Sequence, residues 1–185
     1  ADYLRELGFE VTVPEATRRF GSGKMATYVA RFEREMGRRL PEKFEQELRS
    51  RREQVFRERL RPVDGAAELV AALRVPSCVA SNGPMAQIEH SLRTTGLHDA
   101  FAGRIFSAYS VRAWKPDPGL FLHAGSELGV SPAECAVLED SELGIAAGIA
   151  AGMQTFAFLP GGGETAHASV HTLRHLSELH AFLKP

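Results

Sequence analysis

Three short stretches carry side chains fit to hold and transfer an anion. In Val79-Ala80-Ser81-Asn82-Gly83-Pro84 an apolar run ends on a hydroxyl, and a Gly-Pro turn then opens a helix. Backbone N–H groups at such a turn are free to bind an anion, and the Ser81 hydroxyl adds a donor. The plainer alternative is a strand-to-helix turn with Ser81 or Asn82 as its cap. In Trp114-Lys115-Pro116-Asp117-Pro118 two prolines fix the backbone around a lysine, so its ammonium can be aimed at phosphate or carboxylate. Taken alone, a lysine in a turn is more often surface decoration. In Val137-Leu138-Glu139-Asp140-Ser141 two adjacent acids end an apolar run, where burial is costly unless a cation is present. Hard carboxylate oxygens beside a phosphate site suit Mg²⁺, which takes one or two protein carboxylates. Asp140 or Ser141 as a helix cap is the alternative here.

The elements that must position these groups follow from the pattern after Pro62. Short β-like runs at Ser77–Ser81, Arg104–Ser107, Cys135–Leu138 and Thr155–Leu159 alternate with helical runs at Pro84–Thr95, Pro118–Leu128 and Ser141–Ala151. Gly96, Gly129 and Gly152 stand where those helices should stop. Strands alternating with helices of this length predict parallel βαβ units, and ligands bind such sheets at the carboxyl ends of the strands. Each candidate stretch lies at a strand end or in the loop after one. Asp64 is a plausible cap for a helix opening this region, and a last helix is expected over Ser177–Leu183.

The part before Pro62 is different. From Arg18 to Arg61 there are 14 basic and 7 acidic residues, whereas the whole chain has a net charge of −1. Met25, Tyr28, Val29, Phe32 and Met36 recur at helical spacing, as do Phe44, Leu48, Val55 and Phe56 after Pro41, with the charges on the opposite faces. This predicts a small helical bundle over residues 1–61 and an α/β domain over 62–185. Overall charge near zero argues against nucleic acid or a membrane surface as the main partner. The chain opens with no secretory signal, and Cys78 and Cys135 sit in apolar runs as expected of buried core thiols; together these predict a cytoplasmic protein. A monomer is expected.

Taken in order, Ser81-Asn82, Lys115-Pro116 and Glu139-Asp140-Ser141 with Gly144 resemble the second, third and fourth sequence motifs of the haloacid dehalogenase superfamily of phosphatases. Ser81-Asn82-Gly83-Pro84, Trp114-Lys115-Pro116-Asp117-Pro118 and His175-Leu176-Ser177-Glu178-Leu179 are similar to the branch that contains 6-phosphogluconate phosphatase and, more distantly, β-phosphoglucomutase. The resemblance implies a Rossmann-like parallel-sheet core with an N-terminal helical cap. It implies Mg²⁺-dependent hydrolysis of a small sugar or sugar-acid phosphate through an aspartyl-phosphate, with a phosphosugar mutase as the alternative. Ser81 and the backbone of Asn82, with Gly83 beside them, would hold the phosphoryl oxygens, and Lys115 would neutralise charge on the phosphoryl group and nucleophile. Asp140 would bind Mg²⁺, with Glu139 a second ligand or a partner behind the ligands. The cap loop would help select substrate, which makes Arg19, Ser22 and Lys24 candidate substrate contacts.

The family's first motif, a strand ending in Asp-x-Asp-Gly-Thr/Val, has no match here. Asp64-Gly65 comes nearest, but lacks the apolar strand and the second aspartate. The nucleophile, the acid/base and one Mg²⁺ ligand are therefore expected upstream of Ala1, and Asp2 to Gly8 reads as the tail of a helix already under way. Supplying that strand, its loop and the helix start would take about 20–30 residues. The resemblance places the strand centrally, between those ending at Ser81 and Leu138, so its absence should leave two strand edges unpaired. The expectation is a fragment or a gene-start error, without phosphatase activity by itself; a chain complete as it stands would be a non-catalytic phosphate-binding or regulatory protein.

Two other patterns carry less. Gly21-Ser22-Gly23-Lys24 imitates a nucleotide-binding loop, but Arg18 stands where its first glycine belongs and Met25 where its hydroxyl belongs. His167, His171 and His175 would stripe one helix as metal ligands, but Ser169–Leu173 reads as a short strand, which scatters them over the surface.

Overall fold

The computed structural model describes residues 1–20 and 25–183. They form two compact units, Ala1–Arg59 and Leu60–Pro185.

The first unit is helical, with α1 (Asp2–Glu6), α2 (Val13–Phe20), α3 (Met25–Met36) and α4 (Phe44–Arg59). Its core gathers Tyr3, Leu4, Phe9, Val11, Phe32, Leu40 and Phe44. Tyr3 stacks on Phe44 with ring centroids 5.3 Å apart, and Phe9 meets Phe32 edge-on at 5.1 Å. Helix α4 begins three residues after Pro41, because the Phe44 N–H closes a turn on the Pro41 carbonyl. The predicted apolar faces are only partly buried, since Met36 and Val55 stand exposed at 37% and 49%. A polar cluster ties α1 to α4. The Tyr3 hydroxyl donates to Glu47 Oε2 at 2.6 Å, and Arg51 forks onto both Glu6 oxygens at 2.8 and 2.6 Å. Burial, reinforced by Glu47, pushes the Tyr3 phenol up to about 12, and the Arg51 hydrogen bond holds the Glu6 carboxyl below its ordinary range.

The second unit is α/β. Helix α5 (Ala66–Ala72) leads to β1 (Val79–Ser81), α6 (Met85–Thr94), β2 (Ile105–Ser107), α7 (Ala108–Val111) and α8 (Gly119–Glu127). Then come β3 (Ala136–Glu139), α9 (Glu142–Ala150), β4 (Gln154–Phe158) and β5 (His171–Leu173). Every pairing is parallel: β1 with β2, and β3 with β4 with β5. For β1–β2 and β3–β4 the parallel pairing follows from chain order, because α6 and α9 carry the chain back between the paired strands. Phe156 and Ala157 in β4 are fully buried. Leu69, Leu173, Leu176 and Leu179 cluster with Phe156, while Val137, Phe121, Ala147, Ala151 and Met153 form a second cluster.

The strands make two sheets rather than one, so among the described residues β1 has no strand partner on the side away from β2, nor β3 on the side away from β4. The Val79 N–H bonds to Arg104 O on the β2 side. Backbone groups alternate along a strand, so those of Ala80 face the open side. There the Lys115 ammonium takes the Ala80 carbonyl at 2.9 Å.

Some local expectations change. Gly65, at φ +80°, caps α5 in place of Asp64, because the chain enters that helix through a left-handed residue that glycine adopts without strain. The last helix is a 3₁₀ turn, Leu176–Ala181, closed by a reciprocal cap between His175 and Glu178. The cysteines are half-buried and free. Burial pushes both thiols up, and for Cys78 the nearby Cys135 adds to the effect. No helix among the described residues is long and apolar enough to cross a membrane.

Candidate active site

Ser81 ends β1, and the turn after it is pinned from several sides. The Gly83 N–H donates to Ser81 Oγ at 3.1 Å, which leaves the Ser81 O–H free to donate elsewhere. The Asn82 side chain reaches neither the helix nor the open end of the turn. Its Nδ2 donates to the Lys115 carbonyl at 3.3 Å and its Oδ1 accepts the Lys115 N–H at 2.9 Å. Helix α6 follows Pro84 with no side-chain cap, so neither Ser81 nor Asn82 caps it. The two-way bond from Asn82 instead fixes the peptide of Lys115, 33 residues downstream, against the end of β1.

Lys115 is buried at 9% exposure. Its ammonium donates to the Ala80 carbonyl and to Glu139 Oε1, and lies 4.7 Å from the centroid of the Phe121 ring. The peptide before Pro116 is cis, and Asp117 Oδ1 accepts the Gly119 N–H at 2.7 Å where α8 begins. The proline-bracketed loop thus turns its lysine inward, where a turn lysine is ordinarily solvated.

Glu139 ends β3, and both of its oxygens are engaged: Oε1 by Lys115, and Oε2 by Ser141 Oγ at 3.0 Å. Ser141 in turn caps α9 by accepting the Gly144 N–H at 3.1 Å. A Cβ on Gly144 would collide with the Glu139 carboxylate, so glycine is what lets α9 start against that side chain. With Ser141 as the cap, Asp140 is left exposed, and its carboxylate has no hydrogen bond or ion pair among the described residues.

These groups fit Mg²⁺ in part. Asp140 offers a free hard carboxylate at a strand end, as Mg²⁺ requires. The oxygens of Glu139 are taken, and among the described residues no cluster of three or more His, Cys, Asp or Glu could hold a metal. Of the candidate substrate contacts, Gly83 lies in the turn. Arg19 falls in α2 with its side chain outside the description, and Ser22 and Lys24 lie outside the described residues. Two groups went unnoticed in the sequence. Phe121 faces the lysine from the first turn of α8. Ser107 ends β2 in register with Ser81, its hydroxyl donating to the Gly83 carbonyl at 2.7 Å. A hydroxyl closing a second predicted strand was the visible signal for it.

The family model of haloacid dehalogenase-like hydrolases matches residues 2–152. The 6-phosphogluconate phosphatase of Escherichia coli is 33% identical over 179 residues, covering 95% of this chain and 81% of that protein. A haloacid dehalogenase-like protein of unknown function from Agrobacterium tumefaciens superposes with a TM-score of 0.80 at 28% identity, covering 98% of this chain and 86% of the other. A hydrolase from Deinococcus radiodurans, solved with bound phosphate and sodium, gives a TM-score of 0.76 at 28% identity, covering 97% and 83%. The family match over residues 2–152, with 33% identity to the Escherichia coli phosphatase over 95% of the chain, establishes that this chain belongs to the haloacid dehalogenase-like hydrolases.

Proposed function

We propose that the strand-end site binds the phosphoryl group of a small sugar or sugar-acid phosphate, of which 6-phosphogluconate is the leading candidate, and serves its hydrolysis. The observation that carries the reading is Lys115. A buried ammonium, aimed by the Asn82 clamp and held between the ends of β1 and β3, stands beside a turn whose Ser81 O–H is free to donate. The choice of substrate class rests on the likeness to the Escherichia coli phosphatase over 95% of the chain.

In this reading Ser81 and the Asn82 N–H receive two phosphoryl oxygens and fix the phosphorus over the gap between the two sheets. Lys115, paired with Glu139, is the fixed cation that meets the added negative charge. Asp140 would hold Mg²⁺, which when bound supplies charge neutralisation to the phosphoryl oxygens. The aspartate that attacks phosphorus in the family has no counterpart among the described residues around Ser81 and Lys115. On this reading the chain binds orthophosphate at the turn after β1.

The experiment is a panel of sugar and sugar-acid phosphates offered with Mg²⁺ to this chain and to the product of the gene read upstream in the same frame. Orthophosphate release by the longer product supports the proposal. Isomerised sugar phosphate without release would instead make it a mutase, a reading to which the 46% identity with Bacillus subtilis β-phosphoglucomutase over 65 residues lends some weight. Orthophosphate binding with no turnover by either chain would make it a non-catalytic phosphate binder.

A further inference from the structure

We propose that Ser107 is a positioning residue for the phosphate cradle, holding the Gly83 carbonyl so that the turn after β1 is set before an anion arrives. The proposal rests on the phosphate-binding reading of that turn. Ser107 is 0% exposed, and Ser107, Lys115 and Thr155 are the buried polar or charged residues among those described. Its neighbour across the parallel pair is Ser81, so two hydroxyls stand side by side at the ends of adjacent strands. The Ser107 hydroxyl is used in both senses: it donates to the Gly83 carbonyl at 2.7 Å and accepts the Tyr109 N–H at 3.2 Å.

Each arm of that hydroxyl leads to one half of the site. On one side Gly83 gives its N–H to Ser81 and its carbonyl to Ser107, so both faces of the glycine are fixed. Glycine is the residue with the most backbone freedom to lose, and without the second bond the turn would have to be ordered when the anion binds. On the other side Ser107 caps α7, whose Tyr109 ring meets Trp114 edge-on with centroids 5.4 Å apart. Trp114 immediately precedes Lys115. A single buried hydroxyl thus braces the turn that would hold the phosphoryl oxygens and the segment that carries the cation. Packing alone would favour alanine here, since burying a hydroxyl is costly unless its bonds are made.

The test is orthophosphate titrated into the 185-residue chain, read by calorimetry and by the amide resonance of Gly83. Ser107→Ala is expected to weaken binding about tenfold and to shrink the Gly83 response. Ser107→Thr, which keeps the hydroxyl, should return affinity to within about threefold of the parent. Ser107→Cys, similar in size but a poor hydrogen-bond partner, decides the matter if alanine unfolds the chain, and should weaken binding as alanine does. Unchanged affinity in the alanine or cysteine variant, with Ser81→Ala clearly weakened, overturns the role of Ser107 and leaves the phosphate site standing. Recovery of the urea midpoint without recovery of affinity in the threonine variant also overturns it, since the hydroxyl would then serve folding alone. No orthophosphate binding by the parent chain overturns the phosphate reading itself.

Discussion

A lysine buried among a strand carbonyl, a carboxylate and an aromatic face is stable only as a set. Lys115 and Glu139 are 9% and 10% exposed at their side chains, so removing one partner leaves the other charge without compensation. Lys115→Met is therefore expected to cost about 3 kcal/mol in urea denaturation, and adding Glu139→Gln should bring the loss back to about 1 kcal/mol. A double variant no more stable than the single one would contradict the pairing. Gly144→Ala tests the same carboxylate from the other side. Its methyl would push Glu139 off its partners, with an expected loss of about 1–3 kcal/mol and weakened orthophosphate binding. Ser81 and Glu139 could be singled out in the sequence because a polar residue closing an apolar run is a local signal, and Lys115 because prolines follow it closely in a turn. The Asn82 clamp was not legible. Its partner lies 33 residues away, and a side-chain amide bonded to a distant peptide leaves no mark on spacing.

Strand ends were easier to read than strand beginnings. The runs predicted to end at Ser81 and Ser107 do so, while β1 starts at Val79 rather than Ser77. A strand is defined by what it pairs with, and Val79 is the first β1 residue opposite a partner, Ile105. Helical periodicity likewise located α3 and α4 but could not say which apolar positions would be buried, so Met36 and Val55 remain exposed. The seam between α9 and the sheet depends on small residues. A Cβ on Gly148 would lie 2.5 Å from Thr155 Oγ1 and 3.3 Å from Val137 Cγ1. Gly148→Ala should force α9 away from β3 and β4 and cost about 1–3 kcal/mol, measured by thermal or urea unfolding. A neutral result would mean that the helix slides without loss.

Across the molecule, the sequence divided the chain by charge and periodicity, and the structure divides it into a helical unit and an α/β unit. Each unit has a chemical test of its own. In the helical unit Tyr3 holds its proton more tightly when folded, with its pKa raised from 10.0 to about 12. The stabilisation this represents is fully present below pH 10 and is lost as pH climbs through about 12. Circular-dichroism melts across that window should show a fall in helix stability that Tyr3→Phe abolishes. In the α/β unit, Cys78 and Cys135 should react slowly with iodoacetamide at neutral pH and rapidly in urea, because burial disfavours both thiolates.

The ammonium of residue 115 works as a rivet between two half-sheets that share no strand. Two of the three protons that would greet an incoming anion are already spoken for by the fabric of the fold, so ligand and scaffold compete for one group. Evolution could not retune that cation for a new ligand without also loosening the join, which ties the chemistry of the site to the cohesion of the sheet through one nitrogen atom.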